Sequence, residues 1–552
     1  MKKAVRVIII LMLMLVTALT FAYIGLLRGK DTEREQKNIG GSDKPLDSRE
    51  LAAQGRTLMI EGDCIVMQVG QSHQCAARID DGMTVSGVIW SSTDETVAEV
   101  DSKGRVTALA EGSTELWAVF GRDLKARATV IVYEDVDAAA YEAVASLAKD
   151  GSDGSMNQVE TIARGLSHSK SNQMKKTAEV MKILAEFKKL GAENGDSAPM
   201  LWEELVRAVN NSGFPLDENT LRQAALSAYC HGEKASSDFT ISFTGDCTFA
   251  YFNGNDKKGQ FPSVYRHSGS VSYPFDLTRC VFGADDLTMI NFEGALTDSR
   301  QHKQKQFYFR GEPSYVDILT SSSVEAVTLE NNHSFDYLDS GFNDTLDIMR
   351  NAGVKYTSYY SPAVIELNGC RVVMLSICLI GSEYTDEFRE HVEDYVNRYR
   401  AKDTLIVMNV HWGEEKASHP SPYQTEAAHA MIDCGVDLII GHHSHVLQGI
   451  EQYNGHYIAY SLGNFSFGGN TSVSNPYTVI LRASFSKSAK GSPAVSRLSI
   501  VPCLTTSTGS SVNNYQPTPV YGQKAQSVSD YLLTLSSGLD GGIQSVSRSM
   551  IP

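Results

Sequence analysis

The stretch Ile439-Ile440-Gly441-His442-His443-Ser444-His445-Val446 places His443 and His445 two positions apart, directly after the apolar run 436–440. Imidazoles delivered at that spacing by a strand end are the donors of a metal site. Alone, a histidine-rich loop is more often solvated surface than a ligand set. Four other polar clusters in the same half of the chain also follow short apolar runs. Residues 239–244 lead into Gly245-Asp246, and 287–290 into Asn291-Phe292-Glu293-Gly294. Residues 324–329 lead into Glu330-Asn331-Asn332-His333-Ser334-Phe335-Asp336, and 404–410 into His411-Trp412-Gly413-Glu414-Glu415. Each cluster supplies a group that binds a divalent cation or moves a proton.

The elements that must position these groups are legible between them. Stretches 340–352, 386–400 and 422–434 have helical periodicity, so strands alternate with helices and an α/β fold with a largely parallel sheet is expected. In open sheets of this kind ligands bind beyond the carboxyl ends of the strands, where all five clusters fall.

On these residues the segment 239–502 resembles the CapA family of poly-γ-glutamate capsule synthesis proteins, themselves similar to calcineurin-type metallophosphoesterases. The landmarks are Gly245-Asp246, Asn291-Phe292-Glu293, Asn331-Asn332-His333 with Asp336, His411-Trp412-Gly413 with Glu415, Gly441-x-His443-x-His445 and Tyr460-Ser461-Leu462-Gly463-Asn464-Phe465. The resemblance implies that Asp246 and Glu293 hold or bridge cations and that Asn332, His411, His443 and His445 complete the shells. It implies His333 as general acid, Asp336 as its orienting partner, and Asn291, Glu415 and Asn464 as substrate-binding groups. Carboxylate and amide oxygens mixed with neutral imidazoles suit one or two ions of Mn, Fe or Zn better than Ca or Mg. One departure stands out: the phosphoesterase pattern opens Asp-x-His, whereas this chain reads Asp246-Cys247-Thr248 and offers a hydroxyl in place of an imidazole.

Other residues read more simply. Strand alternation points Cys247 away from Asp246, as a small hydrophobe. Trp412 is expected to pack, and Glu414 with Glu415 to be a solvated pair, although Glu415 matches a family position. His419, His429, His442 and His456 are expected at the surface. Neither a Gly-x-Ser-x-Gly motif nor a phosphate-binding glycine-rich loop ending in Lys-Ser or Lys-Thr occurs.

The remaining chain divides by composition. Lys2, Lys3 and Arg6 precede an uncharged run, 7–27, long enough to cross a bilayer. Residues 1–30 are therefore expected to be a signal anchor, with a cleavage site at Thr20-Phe21-Ala22 as the alternative, and the bulk of the chain to lie outside the cell membrane. A flexible stalk is expected over 31–56. Short alternating strands over 57–134 resemble a bacterial Ig-like group 2 domain, an all-β sandwich that would bury Trp90, with Cys64 and Cys75 as a candidate pair. A small α-helical connector is expected over 135–236, with an Asp217 cap and a solvated lysine face (Lys175, Lys176, Lys182, Lys188, Lys189). The metallophosphoesterase-like layered sheet domain occupies 237–505. A tail, 506–552, carries a short helix over 528–535 and a loosely ordered end.

The chain carries 65 acidic against 49 basic residues, a formal net charge of -16, which argues against nucleic acid as a partner. It also gives no long-range attraction to a polyanion, so a polymer groove needs local cations, for which Lys303, Lys305, Arg310 and Lys416 are candidates. Nine cysteines without a Cys-x-x-Cys pair give no zinc ribbon and no dense disulfide framework. The expectation is a single-pass, membrane-anchored, extracytoplasmic protein that handles an anionic capsular polymer such as poly-γ-glutamate, or a phosphoester, alongside subunits of a capsule-synthesis complex. A non-catalytic polymer-binding or assembly component is the alternative.

Overall fold

The computed structural model describes residues 48–548 except 168, 194–197, 382 and 489–490. The expected anchor over 7–27, the stalk up to 47 and the last four residues lie outside the described residues. Among the described residues no helix is long and apolar enough to cross a membrane.

Two compact units are present. One comprises 48–59, 77–89 and 118–126 of the described chain. Its helix Ser48–Ala53 replaces the end of the expected stalk, because Leu51 finds a buried position and Ala52 and Ala53 favour the helix. Arg56 closes this unit by pairing with Asp80 and Asp81, each at 2.5 Å.

The second unit comprises 60–76, 90–117 and 127–548. Its first strands are those expected of an Ig-like domain: Cys64–Gln68 runs parallel to 129–133, and Arg105–Ala108 pairs antiparallel with Ser72–Gln74 and Ala98–Val100. Val106, Ala108, Val130 and Val132 are buried at alternate positions. Two expectations need correction. Trp90 is only half-buried, its ring lying over Gly104, where an added Cβ would come within 2.8 Å of it. Cys64 and Cys75 are separate, buried free thiols, and burial pushes Cys75 up to about 12.

Five helices follow: α1 (Val136–Asp150), α2 (Asp153–Gly165), α3 (Asn172–Glu193), α4 (Ala198–Ser212) and α5 (Glu218–Ala235). The expected Asp217 cap is present, accepting from the Thr220 amide at 3.0 Å. These helices are more than a connector. Leu147 of α1, Phe187 of α3 and Tyr229 of α5 share one apolar core with Phe249, Phe282, Ile480 and Val501 of the following domain. Glu233 of α5 fixes the join, buried between Arg482 Nε at 2.9 Å and Arg497 Nη2 at 3.2 Å.

Two large sheets make up most of the described α/β domain, beside a small three-stranded one near the site. The first runs through β1 (Phe239–Thr248), β2 (Leu287–Phe292), β3 (Ala326–Thr328) and β4 (Lys355–Thr357), all parallel. The second contains β5 (Ala363–Leu367), β6 (Cys370–Cys378), β7 (Thr404–His411), β8 (Leu438–His442), β9 (Ile450–Tyr453) and β10 (His456–Ala459), in the order β5-β6-β7-β8-β10-β9. A short β11 (Asn464–Phe467) and the long hairpin β12 (Tyr477–Lys487) and β13 (Pro493–Leu504) complete the first sheet beside β1. The single, largely parallel sheet expected from the sequence is therefore two. They meet face to face through Ile241, Phe243 and Met289 on one side and Val372, Met374, Val407 and Ile440 on the other. Helices cover both outer faces: α1–α5 with α6 (Leu338–Asn351) on the first, α7 (Asp386–Tyr399) and α8 (Pro422–Asp433) on the second. Apolar side chains on both faces of each strand are what such a sandwich of sheets between helices requires.

The tail departs from expectation at its end. Helix α9 (Gly522–Ser536) packs Val528, Leu532 and Leu535 into the intersheet core. Ser547–Arg548, expected to be loose, pairs in parallel with Ser499 and Ile500 of β13.

Candidate metal centre

Strand ends from both sheets converge on Asp246. β1 pairs with β12 over 239–243, then changes partner, so that Asp246 stands in register with Asn291 of β2 and Asn464 of β11. Gly245 makes the exchange feasible: an added Cβ would sit 1.9 Å from the Gly463 carbonyl. At the end of β8 the backbone turns left-handed at His443 (φ 92) and His445 (φ 56), a conformation that side-chain-bearing residues rarely adopt. Strain of this kind persists where the surroundings over-determine it, as at ligand clamps. His442 stays on the intersheet face shared by Leu438 and Ile440, and the turn after it brings His443 and His445 to Asp246 as well. The His443 amide donates to Oδ2 at 3.3 Å, and His442 Nδ1 and His445 Nδ1 lie 3.4 and 3.1 Å from its two oxygens.

The donors fall into two groups. Ligand atoms of Asp246, Glu293 and His445 lie within 4.8 Å of one another. In the second, His411 Nε2 lies 3.0 Å from Asn332 Oδ1 and 3.1 Å from His443 Nδ1. Asn291 links them, donating to Asp246 Oδ1 at 2.8 Å and lying 3.4 Å from His411 Nδ1. Asn291 was expected to touch substrate. It is fully buried, and Asn331 Nδ2 also donates to its Oδ1 at 3.1 Å, so its amide is taken up by Asp246 and Asn331 and does not face the cleft. His442, expected at the surface, is buried against Asp246 because strand alternation puts it on the intersheet face with Leu438 and Ile440.

The electrostatics are those of a cation site. Both Glu293 oxygens are buried without a hydrogen-bond partner. Burial pushes the Glu293 carboxyl up to about 8. Burial acts in the same direction on Asp246, but hydrogen bonds and charge from His442 and His445 outweigh it and hold Asp246 well below the usual carboxylate range. For His445, the charges of Glu293 and Asp246 overcome burial and raise it to about 9. Burial and the neighbouring imidazoles lower His411 and bring His443 down to about 4, leaving both neutral, as ligands must be. A divalent ion would fit this set, supplying the positive charge that the Glu293 carboxylate needs and taking the place of the proton on His445.

Beside this group stands His333. Its Nδ1 is 2.7 Å from Asp336 Oδ2, and its Nε2 faces Glu293 Oε1 at 3.6 Å. Asp336 is itself fixed by the Phe309 amide at 2.8 Å and by Lys305 at 2.6 Å. Lys305 also donates to the Asn332 carbonyl at 3.1 Å. The sequence offered Lys305 only as a polymer contact; its place in this network follows from a loop 31 positions away from Asp336, which no local pattern reveals. Burial lowers His333, only partly opposed by Asp336.

A cleft of about 160 Å³ leads away from His333 and His445. Its walls include Phe252, Phe307, Phe309 and Phe467, with Asn464, Asn470 and Asn513 between them. Asn464 holds His445 Nδ1 at 2.9 Å, and Glu415, although exposed, lines the same cleft. Among the candidate polymer cations only Lys416 lines it. Arg310 is buried, bonded to the Thr297 carbonyl at 2.8 Å and to Glu312 at 3.1 Å, and so is structural. Lys303 is exposed and lies over the Phe335 ring. Trp412 packs as expected, its Nε1 donating to the Tyr460 carbonyl at 2.9 Å. Cys247 is buried, its thiol pushed up to about 12 by burial, and Thr248 Oγ1 is buried with no partner.

Comparison with known proteins agrees with the positions of these groups along the chain. The family described as "Bacterial capsule synthesis protein PGA_cap" matches residues 240–469, which span all of the donors above. The α/β domain belongs to this CapA family. "Bacterial Ig-like domain (group 2)" matches residues 64–130. Among similar proteins, the "PGA biosynthesis protein CapA" of Bacillus subtilis is 28% identical over 262 residues, covering 44% of this chain and 68% of that protein. The "Capsule biosynthesis protein CapA" of Bacillus anthracis is 30% identical over 202 residues, covering 32% of this chain and 49% of its own length. The first motif within the matched segment has Asp246 and carries Thr248 two positions on.

Proposed function

We propose that this chain serves in poly-γ-glutamate capsule synthesis, anchored in the cell membrane by residues 7–27 with the described domains outside, and that its PGA_cap domain is a metal-dependent hydrolase of a phosphoester or amide. The observation that carries the hydrolytic reading is Glu293, a buried carboxylate with both oxygens unpartnered, facing Asp246 and His445. Asp246, Glu293 and His445 would hold one ion, and Asn332, His411 and His443 a second. When bound, such ions polarise a phosphoryl or acyl oxygen and acidify a water. The remaining chemistry belongs to the chain. Asp336 fixes the His333 ring through Nδ1, so Nε2 is the atom that holds or moves a proton at the reacting group. Lys305 holds Asp336 in place through a contact of 2.6 Å. Phe309 and Phe467 flank His333 and His445 at ring distances of 4.3 and 4.7 Å and exclude water from that side.

A second reading is supported by Thr248, which leaves the first motif one imidazole short. On that reading the same donors hold polymer carboxylates, through metal, during export or attachment without turnover. Elemental analysis of chelator-free protein, paired with a Mn-supplemented phosphodiesterase assay, separates the two. About one or two metals per chain with turnover that His333→Asn removes while metal content stays unchanged supports the hydrolase. Bound metal with no turnover supports the holding role, and no metal after supplementation ends both. Retention of the chain in the membrane fraction, lost when residues 1–30 are removed, tests the anchor.

A further inference from the structure

Behind the loop that carries His333 lies a second cavity, lined by Glu330, Phe335, Phe342, Ser358, Tyr359, Tyr360, Cys378, Glu387 and Phe388. Its walls are aromatic and set at angles to one another. Tyr359 stands perpendicular to both Tyr360 and Phe388, each at 88°, with centroids 4.7 and 5.8 Å away. Phe335 and Phe342 face each other at 4.4 Å. Glu330 receives the Tyr359 amide on one carboxylate oxygen at 2.8 Å and lines the cavity, and Glu387 adds a second carboxylate at its rim. No lysine, arginine or histidine is among the described lining residues. Tyr359 is braced from outside by His391, stacked on its ring at 3.9 Å.

Ring faces carry negative quadrupole charge, and several of them around a carboxylate attract an organic cation while repelling anions. We propose that this cavity is a binding site for an alkylammonium group, distinct from the metal centre. The aromatic rings enclose the methylene or methyl groups, and Glu330 supplies the charge. The site needs no metal and does not depend on the hydrolytic reading.

Calorimetric titration of the full chain with choline, alongside its uncharged carbon isostere 3,3-dimethylbutan-1-ol, tests it. Choline is expected to bind, and the isostere at least about tenfold more weakly, because desolvated cation–π contacts are worth about that factor. Glu330→Gln keeps the acceptor for the Tyr359 amide but removes the charge, and is expected to weaken choline about tenfold or more. Tyr360→Ala removes a ring that is 79% exposed, so folding is unaffected, and is expected to weaken choline about threefold. Equal binding of choline and the isostere, undiminished binding in Glu330→Gln, or no binding of choline at 50 mM each overturns the proposal.

Discussion

Replacing Glu293 by Gln should make the metal-free protein more stable and the metal-loaded protein less so. Burial without hydrogen-bond partners raises this carboxyl from 4.5 to about 8. The folded state therefore holds a proton that the unfolded chain has already released. The resulting penalty is absent below pH 4.5, grows as pH rises from 4.5 to 8 and is constant above. At about 1.4 kcal/mol per pH step it amounts to roughly 3 kcal/mol at pH 7. Gln has the same shape and no charge to bury; its amide carries one more donor than a protonated carboxyl, a cost that is the same at every pH and is read off at pH 4.5. In EDTA at pH 7, Glu293→Gln should unfold several degrees above the wild type, and the gap should close by pH 4.5. With Mn added, the wild type should gain stability by mass action while the variant gains little. Thermal unfolding at the two pH values, with EDTA and with Mn, reads all four cases. A variant that is less stable than wild type in EDTA at pH 7, or that keeps the full Mn shift, would refute the assignment of Glu293 as a carboxylate awaiting a cation.

Arg482, fully buried, donates to Glu233, Ser242 and the carbonyls of Cys230, Val281 and Ala284, so Arg482→Met leaves those carbonyls unpaired and the Glu233 carboxylate with Arg497 alone; a loss of about 4 kcal/mol is expected in urea unfolding, with a smaller loss for Arg497→Met. His231, buried with Nε2 2.9 Å from the Gly151 carbonyl, is lowered by burial from 6.5 to about 4. Because the folded state resists the proton, stability should fall as pH drops below 6.5 and level off below about 4, by about 3 kcal/mol in total. His231→Gln should flatten that part of the pH–stability curve. Gly245→Ala places a methyl group 1.9 Å from the Gly463 carbonyl, and should cost about 3 kcal/mol and lower metal content as β1 parts from β11, measured by thermal unfolding and elemental analysis.

Local chemistry was readable residue by residue. The Asp217 cap, helices α6 to α8, the apolar strands and the donors at their ends each leave a mark within a few positions. Net charge, the scatter of cysteines and the Ig-like alternation are equally local. The sequence also announced which strand ends carry chemistry, because carboxylates, amides and imidazoles follow apolar runs too regularly for surface loops.

Contacts between distant segments were not readable. Period and burial are the same for strands buried in one sheet or in two, so the pairing of β1 with β12 and then β11, and the face-to-face packing of the sheets, emerged only from the fold. The left-handed backbone at His443 and His445, which brings both to Asp246, leaves no mark in the local pattern. The helices between the Ig-like strands and β1 read as a connector because their apolar stripe reveals that a partner exists but not which one; Glu233 finds Arg482 across 249 positions. The sequence by itself determined the donors and the elements that carry them. The tertiary structure decided which donors lie together, which lysine braces the His333–Asp336 pair and which carboxylate is left without a hydrogen-bond partner, because those outcomes depend on distances between segments that no local pattern encodes.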